Sequence, residues 1–367
     1  MNKKIRAVGA GILAAIWAVL ILWTWLKPQD KLSLWERREL AQFPETSMAE
    51  ILSGKFMTDF ESFSLDQFPL RDTFRQMKSL FHYYVLGQKD VGGIYLSQEY
   101  LAKQEYPLNE DSLSYGASRF ENVYKTYLEN TDVNIYTAVI PDKGYYLGEG
   151  SGHLTMDYEK LFSQMEQLMP WSAHIDLTQS LSLDAYYKTD THWRQEMLLP
   201  VAQVLCEAMN MTPPQAEEFT ANKISDAFYG VYYGQAALPA SPDTLTIMES
   251  NRLDACQLYN FADNSYSNIY DLTKVDSKDP YDVFLQGPQS LIRIENPNAK
   301  TKRELVIFRD SFGSSIAPLL VSEYKTVTLV DIRYIMPSAL EKFLTFTNQD
   351  VLFLYSTLVL NNANTIK

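Results

Sequence analysis

Cysteine and histidine are both scarce in this chain of 367 residues: there are two of the former, Cys206 and Cys256, and four of the latter, His82, His153, His174 and His192. Two thiols in so long a chain cannot make a disulfide framework. At most they close one bridge, and the sequence does not say whether they meet. Neither cysteine stands in a motif with histidine, which argues against a thiol-based active site. So few histidines also disfavour a histidine-rich metal site, and no metal or other cofactor is expected. Positive charge is short as well. Lys and Arg number 32 against 45 Asp and Glu, a net charge of -13. Phosphate backbones would be repelled by such a surface, so nucleic acid is not an expected partner. There is no internal repeat. A hydrophobic fraction of 46% and an aromatic fraction of 13% are enough for a substantial core and argue against disorder.

Long apolar runs are absent except at one place. Ala7 to Leu26 is a stretch of 20 residues without a formal charge, rich in Ala, Leu, Ile, Val and Trp. As a helix it would span about 30 Å, the thickness of a bilayer's hydrocarbon core. Lys3, Lys4 and Arg6 precede it and only Lys27 follows closely. The positive-inside rule then puts the N-terminus in the cytoplasm and the rest outside. The run is long for a cleaved secretory signal, and Thr24-Trp25-Leu26-Lys27-Pro28 offers no small-residue cleavage site. The expectation is a cell-membrane protein with a single uncleaved anchor, residues 1–27 including a short cytoplasmic stub, and an extracellular C-terminal domain.

Residues 28–90 read as a juxtamembrane helical segment. Leu34 to Leu40 is charged with helical character and ends at Phe43-Pro44. Ile51, Leu52, Phe56, Phe60 and Phe63 then recur at helical spacing, and a second helical pattern restarts at Pro69. From about Val91 the pattern becomes α/β. Ile94 to Leu96 and Tyr100 to Ala102 suggest a hairpin, residues 110–129 a helix, and Val133 to Ile140 a strand ending at Pro141. Residues 156–169 and 195–209 read as helices, with a short strand over 173–177 between them. Residues 210–300 break the alternation with Tyr, Asp, Asn, Ser and Pro and read as an insertion or lid. Leu305 to Phe308, Thr326 to Val330 and Val351 to Tyr355 are β-rich runs separated by helical patterns. Strand-helix-strand spacing of this kind implies a parallel sheet covered on both faces, here within residues 91–360.

Two short polar motifs interrupt this pattern. Asp190-Thr191-His192-Trp193 lies in a loop. Arg309-Asp310-Ser311-Phe312 directly follows the buried run Leu305 to Phe308. Ligands in open α/β sheets bind outside the carboxyl ends of strands, and Ser311 falls there, in a turn leading into a helix. The backbone N–H of Ser311, and that of Gly313, would face an oxyanion with the helix dipole behind them. A serine hydroxyl needs a base within hydrogen-bond reach. His192 is the candidate base, and Asp190 the candidate group that fixes its tautomer, since D-x-H spacing puts both side chains on one side of an extended segment. Each motif alone has a plainer reading: Asp310 or Ser311 as a helix N-cap, D-x-H as a hydrogen-bonded turn, Trp193 as core. Their joint appearance in an α/β chain so poor in histidine favours a Ser311–His192–Asp190 triad. Candidate substrate-binding residues around it are Arg309, Lys143 after Pro141-Asp142, Arg333 after the run Thr326 to Val330, and Tyr229.

Lys188-Thr189-Asp190-Thr191-His192-Trp193 and Arg309-Asp310-Ser311-Phe312 resemble the motifs of DHHW-type proteins, which are related to the AlgX/AlgJ-like branch of the SGNH hydrolase superfamily. Phe68-Pro69-Leu70-Arg71, Ile140-Pro141-Asp142-Lys143 and Phe228-Tyr229-Gly230 match more weakly. The likeness runs from about residue 35 to 360, with the motifs in the expected order. Three departures stand out: Thr191 occupies the place of a second histidine, the D-x-H block precedes the serine rather than following it as in ordinary SGNH esterases, and no residue matches the usual oxyanion-hole Asn. The resemblance implies that the domain is a three-layer α/β/α SGNH-like one with a parallel central sheet; the transmembrane helix read from the apolar run precedes it. It also implies acyl-ester chemistry: Ser311 takes acetyl from a membrane-bound O-acyltransferase and passes it to a cell-surface or exported polysaccharide. Two alternatives stay open, a carbohydrate acetylesterase and a non-catalytic glycan-binding or scaffold component of an export complex.

Overall fold

In the run Leu305-Val306-Ile307-Phe308 every side chain is buried, yet neighbours face opposite ways, as the two-residue period of a strand demands. Leu305 and Ile307 join one core layer, with Val201, Leu205, Ile316 and Leu320. Val306 and Phe308 join another, with Phe120, Val123, Leu161 and Met165. A strand apolar on both faces must be covered on both, and this one is. Burying each such side chain stabilises the fold by roughly 1.5–3 kcal/mol.

The computed structural model describes residues 3–321 and 323–367; the first two residues of the expected cytoplasmic stub lie outside them. Helix α1 (Lys3–Leu26) is followed by a small hairpin, β1 (Leu32–Ser33) and β2 (Arg38–Glu39), then α2 (Met48–Ser53), α3 (Lys55–Asp66) and α4 (Arg71–Leu80). Next come a second hairpin, β3 (Ile94–Ser97) and β4 (Tyr100–Lys103), and α5 (Glu110–Val123), β5 (Asn134–Ile140), α6 (Lys143–Leu147), α7 (Tyr158–Leu168), β6 (Ala173–Ile175) and α8 (Leu199–Ala208). A third hairpin, β7 (Thr220–Phe228) and β8 (Asp243–Glu249), encloses α9 (Val231–Ala236). After α10 (Asn251–Asp254) the chain runs through β9 (Gln257–Asn260), β10 (Ser265–Ser267), β11 (Leu291–Glu295) and β12 (Glu304–Arg309). It closes with α11 (Gly313–Leu320), β13 (Thr326–Val330), β14 (Asp350–Ser356) and α12 (Thr357–Leu360).

The central sheet has eight strands in the order β10-β9-β11-β13-β12-β14-β5-β6. From β13 to β6 neighbours are parallel, and β11, β9 and β10 extend the sheet antiparallel. Helices α8 and α11 cover one face, α5 and α7 the other. This is the expected three-layer α/β/α arrangement, with an antiparallel side added to the parallel sheet. That side comes from residues 257–295, inside the stretch read as an insertion; of the described strands in that stretch, β7 and β8 alone form a separate sheet.

Helix α1 includes Arg6–Leu26, which is long and apolar enough to cross a membrane and lies near the N-terminus, as either an anchor or a signal sequence would. Trp25 of this helix meets Phe43 and Phe60, and Trp17 meets Phe68. The helical character expected for Leu34 to Leu40 is corrected. Leu32 pairs with Glu39 and Ser33 with Arg38, so this segment is a hairpin whose four-residue turn ends at Arg37 with a left-handed backbone, φ 56°. Tertiary contacts override the local pattern. Asp66 takes both guanidinium nitrogens of Arg38, and the Gln67 amide donates to the carbonyls of Asp30 and Ala41, closing the hairpin base.

Candidate active site

Strand β12 ends at Arg309, and two tight hydrogen bonds turn the chain into α11: Gly313 N–H to the Asp310 carbonyl at 3.1 Å and Ser314 N–H to that of Ser311 at 3.1 Å. Asp310 fixes this turn rather than doing chemistry. One carboxylate oxygen accepts from Phe312 N–H at 3.0 Å; the other accepts from the backbone N–H (2.8 Å) and hydroxyl (2.7 Å) of Ser356, at the end of neighbouring β14. The turn therefore presents Ser311, half-buried, at the carboxyl ends of the parallel strands. Since the Gly313 N–H is already bonded to Asp310, it does not serve as the second oxyanion donor expected of it. The Ser311 N–H has no acceptor among the described residues and stays available.

The Asp190-His192 loop meets this turn. Tyr186 and Trp193 pair across it as an isolated antiparallel bridge, and Tyr187 N–H donates to the His192 carbonyl at 3.1 Å. The segment between them is a tight turn, not the extended stretch expected. Asp190 and His192 nonetheless share a side, because one oxygen, Asp190 Oδ1, accepts both the His192 N–H at 3.0 Å and the ring Nδ1 at 2.6 Å. With Nδ1 carrying the proton, Nε2 is left to accept, and it lies 2.8 Å from Ser311 Oγ. The three residues thus form one hydrogen-bonded chain, Ser311 to His192 to Asp190, across 119 positions of sequence between serine and histidine.

The surroundings hold the imidazole in place. Tyr281 stacks on it, ring centroids 3.8 Å apart and planes within 7°, and its phenol donates to Ser315 Oγ at 2.8 Å. The indole N–H of the fully buried Trp193 donates to Ser315 Oγ (2.8 Å) and the Phe312 carbonyl (3.1 Å), tying the histidine loop to the serine turn. Burial alone would push the Asp190 carboxyl up. The His192 ring, its hydrogen bonds and the Arg37 guanidinium outweigh burial and hold it well below the usual range, so it stays ionised. Asp190 Oδ2 accepts from Arg37 Nη1 at 2.8 Å and from Val231 N–H at 2.8 Å. Gly230 makes that second contact possible, since a Cβ there would lie 2.2 Å from the Asp190 Cβ.

The loop is clamped from both sides by opposite charges. Asp243, at the start of β8, takes the N–H groups of Lys188 (2.7 Å) and Thr189 (2.8 Å). Lys143 Nζ, at the start of α6, donates to the carbonyls of Tyr187 (2.9 Å) and Asp190 (2.7 Å) and more loosely to that of Lys188 (3.4 Å). Burial lowers the Lys143 amine to about 7, with Asp243, Asp190 and Asp142 opposing it. The expectation that Lys143 binds substrate is therefore corrected: it is buried, and its donors hold main chain. The same holds for Arg309, which is fully buried and directed at the Asp310 and Gln289 carbonyls, both at 3.3 Å. Arg333 is engaged by both oxygens of Asp331, and Tyr229 stacks with Trp35 and packs against Tyr233 with its ring tilted. No hydrogen bond, ion pair or ring contact joins any of these four to Ser311 or His192. Thr191, in the position of a second histidine, accepts from the Tyr232 phenol at 3.0 Å.

Arg37 and Tyr281 were not among the sequence candidates. Tyr281 lay in a stretch read as insertion, and Arg37 among several charges of a juxtamembrane segment. Cys206 and Cys256 are both free and buried.

A family model described as DHHW protein matches residues 159–330, the span that holds Asp190, His192 and Ser311. No curated protein matches the sequence. Among solved structures, a DHHW family protein from Eubacterium siraeum is 21% identical, covering 76% of this chain and 95% of its own, with a TM-score of 0.61. Bacillus cereus PatB1, solved with a sulfonyl adduct, is 17% identical over 73% of this chain and 95% of its own, at a TM-score of 0.56. The O-acetyltransferase domain of Pseudomonas putida AlgJ, at 13% identity and a TM-score of 0.47 over 73% of this chain and 92% of its own, is too remote to argue from. The matched segment is similar to the DHHW proteins, and the architecture shared with these structures is an SGNH-like fold.

Proposed function

We propose that this protein is a membrane-anchored, serine-dependent O-acetyltransferase that acts outside the cell on a cell-surface or exported polysaccharide. The observation that carries the reading is the unbroken chain Ser311 Oγ–His192 Nε2 at 2.8 Å and His192 Nδ1–Asp190 Oδ1 at 2.6 Å. As His192 Nε2 takes its proton, Ser311 Oγ attacks the acyl carbonyl carbon of the donor. The Ser311 N–H faces the oxyanion that forms. On collapse the donor's leaving group departs with the proton from His192, and Ser311 holds the acetyl as an ester. A sugar hydroxyl then attacks that ester while His192 removes the hydroxyl proton. Collapse of the second intermediate returns the proton to Ser311 Oγ and leaves the acetyl on the sugar. Asp190 stays ionised throughout and stabilises the imidazolium.

The donor in this reading is a membrane-bound O-acyltransferase, and α1 keeps the two together. The sulfonyl adduct of PatB1 supports the reading in one respect: sulfonyl reagents modify activated nucleophiles, and Ser311 is the equivalent group to test here. One observation favours a second reading. Ser311 is only half-buried, so water can reach an acyl-serine and make the protein a carbohydrate acetylesterase. A purely scaffolding role has no use for the aligned hydrogen-bond chain.

The test is turnover of p-nitrophenyl acetate by the full chain in detergent, with and without an oligosaccharide acceptor, followed by mass spectrometry of acceptor and protein. Acetylated acceptor formed by the parent protein but not by Ser311→Ala supports transfer; acetate release alone supports the esterase. Equal turnover by the parent, Ser311→Ala and His192→Ala sinks both.

A further inference from the structure

The residue that completes the environment of Asp190 comes from neither motif. It comes from the turn of the β1–β2 hairpin, 153 positions away, where Arg37 donates Nη1 to Asp190 Oδ2 at 2.8 Å. Its other terminal nitrogen meets the Asp279 carboxylate, two residues before the Tyr281 that stacks on His192. The Arg37 side chain is only 8% exposed, and the Asp190 side chain is wholly buried. Ion pairs this dry are screened little by salt, unlike surface pairs. The backbone at Arg37 is left-handed, φ 56°, a conformation that arginine seldom adopts and that persists only where surrounding contacts enforce it.

The hairpin tip is seated for this purpose. Trp35 packs on Tyr229 and Tyr233 of the α9 region. Its carbonyl approaches Gly234 so closely that a Cβ there would lie 2.1 Å away. Glu36, beside Arg37, is paired with Arg71 and Arg75 of α4, and Arg75 also donates to the Gly234 carbonyl at 2.6 Å. The same α9 supplies the Val231 N–H to Asp190 Oδ2. Helix, hairpin and carboxylate thus meet at one point.

We propose that Arg37, delivered by the membrane-proximal hairpin, is a positioning residue for the triad: it fixes the Asp190 carboxylate that holds the His192 ring and offsets part of that carboxylate's charge. The role of His192 as base rests on the function proposed above; the electrostatic link between Arg37 and the ring does not. A cation at Asp190 partly cancels the carboxylate's hold on the imidazolium. Without it the imidazolium is held more firmly, and a higher pH is needed to free Nε2. Other ionisable groups facing the pair are Lys143 from α6, Asp243 from β8, Asp279, Tyr281 and Asp282 from the turn after residue 278, Tyr187, Tyr232 from α9, and Asp310 with Arg309 beside Ser311. All are kept in an Arg37 variant.

The experiment uses the full chain in detergent micelles. Arg37→Gln and Arg37→Lys are compared with the parent for the pH profile of p-nitrophenyl acetate turnover, the thermal midpoint, and the NMR titration of labelled histidine rings, with His192→Gln assigning the His192 signal. Arg37→Gln is expected to lower kcat/KM ten- to a hundredfold and to move both the acid limb and the His192 titration upward by about one pH unit. Arg37→Lys should restore the limb's position while recovering only part of the rate, because an ammonium lacks the fork that reaches Asp190 and Asp279 together. An unmoved His192 titration in folded Arg37→Gln overturns the proposal, and so does a loss of rate that follows thermal stability with no change in the pH profile. If turnover proves independent of Ser311 yet the His192 titration moves, the proposed function falls and the link between Arg37 and the ring stands.

Discussion

On the proposed function, Ser311, His192 and Asp190 each have a chemical role that a replacement would expose. Ser311→Ala would then remove the nucleophile and His192→Ala the base; each is expected to lower kcat/KM for ester turnover by about a thousandfold or more. Asp190→Asn keeps the shape but can turn an N–H toward Nδ1, favouring the wrong tautomer, and should cost about a hundred- to ten-thousandfold. Residual activity near the parent level in any of the three argues against the triad. Trp193→Phe shrinks a fully buried ring and loses the indole N–H that bonds Phe312 and Ser315; urea unfolding should show about 1–3 kcal/mol of destabilisation from the lost bonds and the space left behind. At this scale the two motifs were legible through their joint appearance in an α/β chain with only four histidines, since each alone would fit a cap or a turn. Arg37 was not, because nothing local distinguishes it from Arg38. Only the folded chain shows that one reaches Asp190 and the other Asp66. Lys143 and Arg309 were placed correctly at strand ends, but periodicity cannot say whether a cation there faces solvent or main-chain carbonyls.

Single contacts within an element decide how the loops are carried. Gly230 lets the start of α9 lie against Asp190, so Gly230→Ala, whose added Cβ would sit 2.2 Å from the Asp190 Cβ, should lower both turnover and the thermal midpoint; an unchanged pair of values would mean that the loop yields freely. Lys143 clamps the same loop from α6 and titrates near 7 in the folded protein. The unfolded chain keeps its lysine proton to the ordinary, higher value. Between the two the unfolded state holds more protons, so this group makes the fold gain stability as pH rises from about 7 toward the usual lysine range. In Lys143→Met that gain is gone. The thermal midpoint of the parent relative to the variant should therefore climb between pH 6 and 9, and a flat difference would contradict the assignment. Strands β12, β13 and β14 were readable as apolar runs. The β1–β2 hairpin and the antiparallel strands β9 and β10 were not: they are two to four residues long, rich in polar side chains, and stabilised by neighbours far away in sequence.

For the whole molecule, the apolar helix α1 and the α/β/α body were both evident in hydropathy and strand-helix spacing, whereas the way the segment between them docks on the site was not. On the anchor reading, the mature protein keeps helix α1 and resists carbonate extraction from membranes; a mature chain that starts after Leu26 and appears in the medium would instead mean a signal sequence. The hairpin gives this distinction a spatial meaning. Eleven residues run from Lys27 to Arg37, and even fully extended they reach about 40 Å. An anchored enzyme would then work on a short leash, able to acetylate only sugars passing close above the lipid headgroups, so that glycan strands would be modified as they emerge and not after they have joined the outer wall.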